Sequence, residues 1–166
     1  EAKKLRAHWG KARLVWIAAS THPGEEELIA EAFSQVQSCL ANVLLVSVPR
    51  HVERAAQLEY LYRSQGLEVI KRSQQKPCTS TTDVFIGDTM GELLSFYAAA
   101  DLAFVGGSLV EKGGQNPLEP AAVGLAILTG PYTFNFESIT EQLKQRGIEI
   151  QVNNAQELAK QVVFLL

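Results

Sequence analysis

Residues 105–120 read V-G-G-S-L-V-E-K-G-G-Q-N-P-L-E-P, which sets Gly106, Gly107, Gly113 and Gly114, with Ser108, between an apolar run and the pair Asn116-Pro117. Glycine lets backbone N–H groups approach a ligand without side-chain interference, and a helix start adds unpaired donors carrying partial positive charge. That chemistry suits a phosphate. Asn116 is a favoured N-cap and Pro117 a favoured first helical residue, so Glu119 is expected in the first helical turn at the mouth of the site. A buried helix end with a dipole-compensating acid would carry the same pattern. A carboxylate beside a phosphate needs a partner, and ribose hydroxyls are a natural one.

Arg50 follows an apolar run and Pro49, a placement that projects a guanidinium toward the same edge. Arginine grips phosphate through a planar donor array and keeps its charge without help from a metal. A surface arginine at a strand end is the alternative, and the glycine-rich run favours the anion site. His22 and His51 are weaker candidates: loop histidines commonly bond locally, and no third ligand stands at metal-binding spacing. Ser20 and Thr21 offer hydroxyls just before Pro23 and the acids Glu25, Glu26 and Glu27, whose charges suit the first turn of a helix. Thr89-x-x-Glu92 matches a capping box. Gly87 and Gly91, on either side of Met90, give that loop a backbone able to meet the edge of a base, and Asp88 reads as a turn former. Trp9, Trp16, Phe134 and Phe136 are expected to pack, and no Ser/His/Asp triad is assignable.

The elements that must position these residues are short β-rich runs at 14–19, 43–48, 67–70, 83–86, 102–105, 126–129 and 148–152, alternating with helical stretches at 24–40, 53–65, 90–99 and 135–145. The alternation predicts an α/β, Rossmann-like open and mostly parallel sheet with helices on both faces. Ligands gather beyond the carboxyl ends of such strands, where all four unusual loops fall. Residues 73–82 read as an exposed loop, and residues 1–13 as a connecting segment ahead of one domain at 14–166. The 166 residues are 46% hydrophobic, enough for one substantial core. With 18 acids, 15 bases and a net charge of −3, broad nucleic-acid or membrane-binding surfaces are disfavoured, so anion binding must be local. Cys39 and Cys78 have no metal-like spacing and imply a reducing compartment. No apolar run reaches the roughly 20 residues of a membrane span and no secretory signal opens the chain, so a soluble chain is expected.

Four motifs in order, S-T-H-P-G-E-E-E from Ser20, L-V-S-V-P-R-H from Leu45, G-D-T-M-G-E-L from Gly87 and F-V-G-G-S-L-V-E-K-G-G-Q-N-P-L-E-P from Phe104, closely resemble the C-terminal half of 3-deoxy-D-manno-octulosonic acid (Kdo) transferases. Gly130-Pro131 and Asn135-Phe136 fit as well, and the resemblance extends over nearly everything from Val15 onward. It implies the C-terminal, CMP-Kdo-binding domain of a GT-B glycosyltransferase. The family moves Kdo from CMP-Kdo to a lipid A precursor at the cytoplasmic face of the Gram-negative inner membrane, with inversion and without metal or cofactor. Its proposed base is a glutamate of the N-terminal half, so Glu119 is not that base. Carried onto this chain, Arg50 and the 113–116 turn would hold the CMP phosphate, and Glu119 would engage the ribose. The 87–92 loop would neighbour cytosine, and Ser108 and His22 would orient Kdo or phosphate. The expected donor site thus comprises Ser20, His22, Pro49, Arg50, His51, Gly87, Met90, Gly91, Glu92, Gly107, Ser108, Gly113, Gly114, Asn116 and Glu119. The lipid acceptor and the membrane surface would belong to the parent enzyme. Two alternatives stay open: another GT-B nucleotide-sugar enzyme, a UDP-sugar transferase or epimerase, and a nucleotide-binding module without transfer chemistry.

Overall fold

A computed structural model describes residues 1–166. Its strands are β1 (Leu14–Thr21), β2 (Val43–Pro49), β3 (Val69–Lys71), β4 (Val84–Ile86), β5 (Leu102–Val105), β6 (Ile127–Thr129) and β7 (Glu149–Gln151). They form one sheet in the order β3-β4-β2-β1-β5-β6-β7, and every neighbouring pair is parallel. All seven expected strands are present, and the sheet is wholly rather than mostly parallel. A central parallel strand covered on both faces is buried along its length, which is why β2 reads V-L-L-V-S-V-P, its one polar side chain, Ser47, sharing a hydrogen bond with the Tyr62 hydroxyl at 2.9 Å.

The helices are α1 (Ala2–Trp9), α2 (Glu25–Cys39), α3 (Ala55–Ser64), α4 (Leu93–Ala99), α5 (Leu118–Ala122), α6 (Glu137–Gln145) and α7 (Ala155–Leu165). On one face, Ile29, Phe33 and Val36 of α2 pack with Leu58 and Tyr62 of α3 and with Leu158 and Val162 of α7. On the other face, Leu5 and Trp9 of α1 join Phe96 and Tyr97 of α4, while Leu143 of α6 meets Val105 and Ile127.

Two helices lie where no helix was expected. Residues 2–9, within the segment read as a connection, form α1, whose Trp9 is fully buried and meets Phe85 edge-on at 5.5 Å and Phe96 at 6.2 Å. Arg6 ties α1 to the sheet through Asp101 at 2.9 Å. After β7, Asn154 caps α7 by accepting from Glu157 N–H, and the i, i+4 pair Leu158 and Val162 enters the core. Burial of each such aliphatic side chain contributes about 1.5–3 kcal/mol. Trp9 and Trp16 pack as expected, both fully buried.

The strand order defines the site. From β1 the chain passes to β2 on one side, whereas β5 lies against the other side of β1. The loops after β1 and β5 therefore diverge from adjacent strands and open a crevice at their carboxyl ends, the place where ligands collect in this architecture.

Candidate functional site

The first N–H groups of the glycine-rich run are answered from inside the protein. Glu25, fully buried, accepts from Gly107 N–H at 2.8 Å, Ser108 N–H at 3.1 Å, Leu109 N–H at 3.0 Å and His22 N–H at 3.2 Å. Burial raises its carboxyl pKa above the ordinary range, with the four backbone donors opposing that shift. Glu25 was expected only as a dipole-compensating acid; it instead clamps the β5 loop to the β1 loop. Ser108 is corrected too. Its hydroxyl, with no exposed surface, donates to Val105 C=O at 2.6 Å and accepts from Gly130 N–H at 2.8 Å. It joins the ends of β5 and β6, so the hydroxyl read as orienting Kdo or phosphate is engaged within the chain. A Cβ on Gly130 would lie 2.1 Å from Ser108 O, so glycine is obligatory at that crossing.

The second half of the run folds back on the first. Gly114 N–H donates to Gly107 C=O at 2.8 Å and Gln115 N–H to Gly106 C=O at 3.1 Å. Asn135 braces the turn from the β6 loop, its side-chain amide donating to Lys112 C=O at 2.9 Å and its N–H to Gly113 C=O at 2.9 Å. Gly113 has φ +84°, and a Cβ there would strike the Phe134 ring at 2.5 Å. Phe134, expected to pack, rests on that turn with 61% of its surface exposed. Asn116, expected as the N-cap, accepts from Leu118 N–H at 3.0 Å in the turn ahead of the helix; the helix begins at Leu118 with Pro117 at its N-cap, one residue later than read, and is one turn long. The N–H groups of Gly113 and Asn116 keep no partner within the chain.

Cations converge on this crevice. Arg50 is exposed just beyond Pro49, its N–H anchored to Thr21 C=O at 3.0 Å. The half-buried His22 ring lies across Gly107, 6.2 Å from the His51 ring and nearly perpendicular to it, with Nε2 3.3 Å from the Gln115 amide nitrogen. Burial lowers the His22 pKa, and the positive charges of Lys112, His51, Arg50 and Arg54 lower it further. Arg54 is already paired with the buried Glu26 at 2.6 Å, and the other Glu26 oxygen accepts from Thr21 Oγ1 at 3.0 Å. Thr21 is thus internal. Ser20 sits beside it at φ +57°, where the β1–β2 register slips, and makes no side-chain hydrogen bond.

The 87–92 loop is held from β3. Gly87 is wedged where a Cβ would meet Phe96 at 2.8 Å and Val48 at 2.9 Å. The expected capping box does not form: α4 starts at Leu93, and Thr89 Oγ1 donates to the Glu92 carboxylate rather than capping a backbone N–H. Glu92 is also bound by Arg72, which pulls its pKa below the ordinary carboxylate range. Glu92 is therefore a brace, with its carboxylate turned to the protein. Asp88 is likewise bound by Ser73. Met90 stands 84% exposed at the tip and Gly91 at φ +79° beside it. Glu119 is exposed on α5, and its negative charge adds to the burial that raises the Tyr97 pKa.

The C-terminal CMP-Kdo binding domain of WaaA from Acinetobacter baumannii superposes on the chain with a TM-score of 0.93 and 32% identity, covering 99% of this chain and 86% of that one. The chain belongs to the Kdo transferase family. Within the family, the Haemophilus influenzae Kdo transferase is 41% identical over 162 residues, and the Aquifex aeolicus enzyme 33% identical over 150. The chain spans 38% and 41% of the lengths of those two transferases. No protein-family model matches the chain. The sheet with helices on both faces is the C-terminal half of the GT-B fold.

Of the donor-site residues expected from the Kdo transferase resemblance, the fold gathers His22, Arg50, His51, Gly107, Gly113, Gly114 and Asn116 around the β1–β5 crevice, and sets the 87–92 loop beyond β4. Sequence reasoning missed Lys112, Arg72 and Ser73, and gave no role of its own to Gln115, inside the 113–116 turn, or to Asn135, inside a family motif. Lys112 was visible beside the glycines as E-K-G-G. The other four act through partners far along the chain, which no local spacing reveals.

Proposed function

We propose that this chain is the domain of a Kdo transferase that binds the donor CMP-Kdo. In the longer enzyme it would present Kdo to a lipid A precursor, with inversion and without metal. The observation that carries this reading is the convergence of Arg50, His51, His22 and Lys112 on a crevice where the N–H groups of Gly113 and Asn116 have no partner. Arg50 and Lys112 compensate the CMP phosphate and stabilise the charge that grows on CMP as it leaves, a task that a metal performs in other transferases. Pro49 fixes the strand end from which Arg50 projects. Glu119 takes the ribose hydroxyls, and the backbone of the 87–92 loop meets cytosine. His22, lying on Gly107, and Ser20 border the sugar. The base that activates the acceptor belongs to the N-terminal half. No helix here is long and apolar enough to cross a membrane, which suits a membrane contact made by the parent enzyme outside this domain.

Calorimetric titration tests the reading. The chain is expected to bind CMP in EDTA, and CMP more tightly than UMP or UDP-sugars. Strict dependence on an added divalent ion would overturn the metal-free assignment, and a preference for UDP-sugars would move the chain to another nucleotide-sugar enzyme.

A further inference from the structure

The loop that meets the base in this reading has little apolar packing beyond Gly87. Met90 is 84% exposed, a Cβ on Gly91 would touch nothing within 4 Å, and the outer side of the loop borders an open cleft of about 420 Å³ lined only by polar residues, among them Arg72, Ser73, Thr89 and Glu92. What locates it is a pair of polar clamps from the turn after β3. Arg72 grips the Glu92 carboxylate with two nitrogens, Nε to Oε2 at 3.0 Å and Nη2 to Oε1 at 2.9 Å. Ser73 grips Asp88 through N–H at 2.9 Å and Oγ at 2.5 Å. One clamp closes near each end of the loop, and Thr89 Oγ1 adds a bond to Glu92 across it.

The clamps follow from register and from a closed turn. Lys71 pairs with Ile86, so Arg72 and Ser73 leave the sheet beside Gly87 and Asp88. Gln74 closes their turn by accepting from Lys71 N–H at 3.0 Å, and Gln75 ends it in the left-handed region at φ +54°. Between the clamps, the N–H groups of Thr89, Met90 and Gly91 have no partner within the chain. Free backbone donors and carbonyls can read a base edge only if their positions are fixed, because displacement of about 1 Å breaks a hydrogen bond.

We infer that Arg72 and Ser73 are specificity-determining positioning residues: by holding Glu92 and Asp88 they fix the 87–92 backbone in the arrangement that selects the nucleobase. They touch no ligand themselves. The inference rests on the donor-site reading above, and the shared phosphate and ribose of CMP and UMP separate the two. Both nucleotides are titrated into the folded chain and into its R72A, R72K and S73A variants, with backbone ¹⁵N relaxation recorded for residues 88–91. R72A should lose about tenfold in affinity for the preferred nucleotide while the other changes little, since breaking a charge-assisted pair costs on that order. Loop order parameters should fall in step. R72K keeps the charge without the two-pronged grip and should recover part of the preference, and S73A, which leaves its backbone bond to Asp88, should lose less. A wild-type preference for UMP would overturn the CMP reading, and the clamp would still be judged by whether R72A erases that preference. Equal losses for both nucleotides, or an unchanged ratio in folded R72A and S73A, would overturn the clamp alone.

Discussion

At the scale of single residues, the site divides side chains that face solvent from chemically similar ones spent on the fold. Arg50 and Glu119 are exposed and form no side-chain hydrogen bond or ion pair, whereas Ser108 and Glu25 are buried and fully engaged. Arg50→Ala and Glu119→Ala should each weaken CMP binding about tenfold or more while leaving the melting temperature nearly unchanged, because a charged hydrogen bond to ligand is lost and no core contact is. Ser108→Ala should do the opposite. It leaves Gly130 N–H buried without an acceptor and should cost about 1–3 kcal/mol in denaturant unfolding, with CMP affinity retained. Unchanged affinity in a folded Arg50 or Glu119 variant would remove that residue from the site.

Elements set the second scale. Helix α1 shields Phe85 and Phe96 through Trp9, so Trp9→Ala should destabilise the domain by about 3–5 kcal/mol and lower the urea midpoint. A midpoint within error of the parent would show that α1 merely rests on the sheet. At the far edge, Glu149 of β7 is buried against Thr129 of β6 at 2.7 Å, and burial raises its pKa. A carboxyl whose folded pKa exceeds its unfolded value near ~4.3 holds its proton longer when folded, so its contribution is present below that value and is lost as pH rises through the folded pKa. Glu149→Gln should therefore lose less stability than the parent between acid and neutral pH. Glu25 shifts in the same direction and keeps part of the slope in the variant. Identical slopes in urea unfolding series would dismiss the Glu149 contribution.

On the scale of the whole molecule, the chain spans 38% of the Haemophilus influenzae transferase, and transfer needs donor and acceptor aligned across a cleft. Such alignment lowers a barrier by roughly 7–11 kcal/mol, and under the proposed function this domain would supply one wall. The purified chain should therefore transfer no Kdo at saturating CMP-Kdo with a lipid A precursor. Linking it to the N-terminal half of a Kdo transferase should restore activity, and a half carrying a substituted base should not. Robust transfer by the chain alone, free of full-length enzyme, would overturn this division of labour.

The alternation of β-rich and helical runs was enough to place all seven strands and the parallel sheet, because the central strands, buried on both faces, are written as nearly unbroken apolar runs. The motif order likewise marked Arg50, the glycine turns and Glu119 as donor-site candidates, because the resemblance to the family runs through those residues in short local stretches. Helices α1 and α7 were not legible: α1 buries Leu5 and Trp9, and α7 buries Ala155, Leu158, Ala159 and Val162, short stripes whose meaning depends on the surface they meet. Which polar groups remain free for ligand was settled only in three dimensions. Glu25 and Gly107 are 82 positions apart, and Arg72 and Glu92 are 20 apart. Sequence specifies the donors and acceptors; the fold decides which of them satisfy one another, because hydrogen bonds act over about 3 Å of space regardless of distance along the chain.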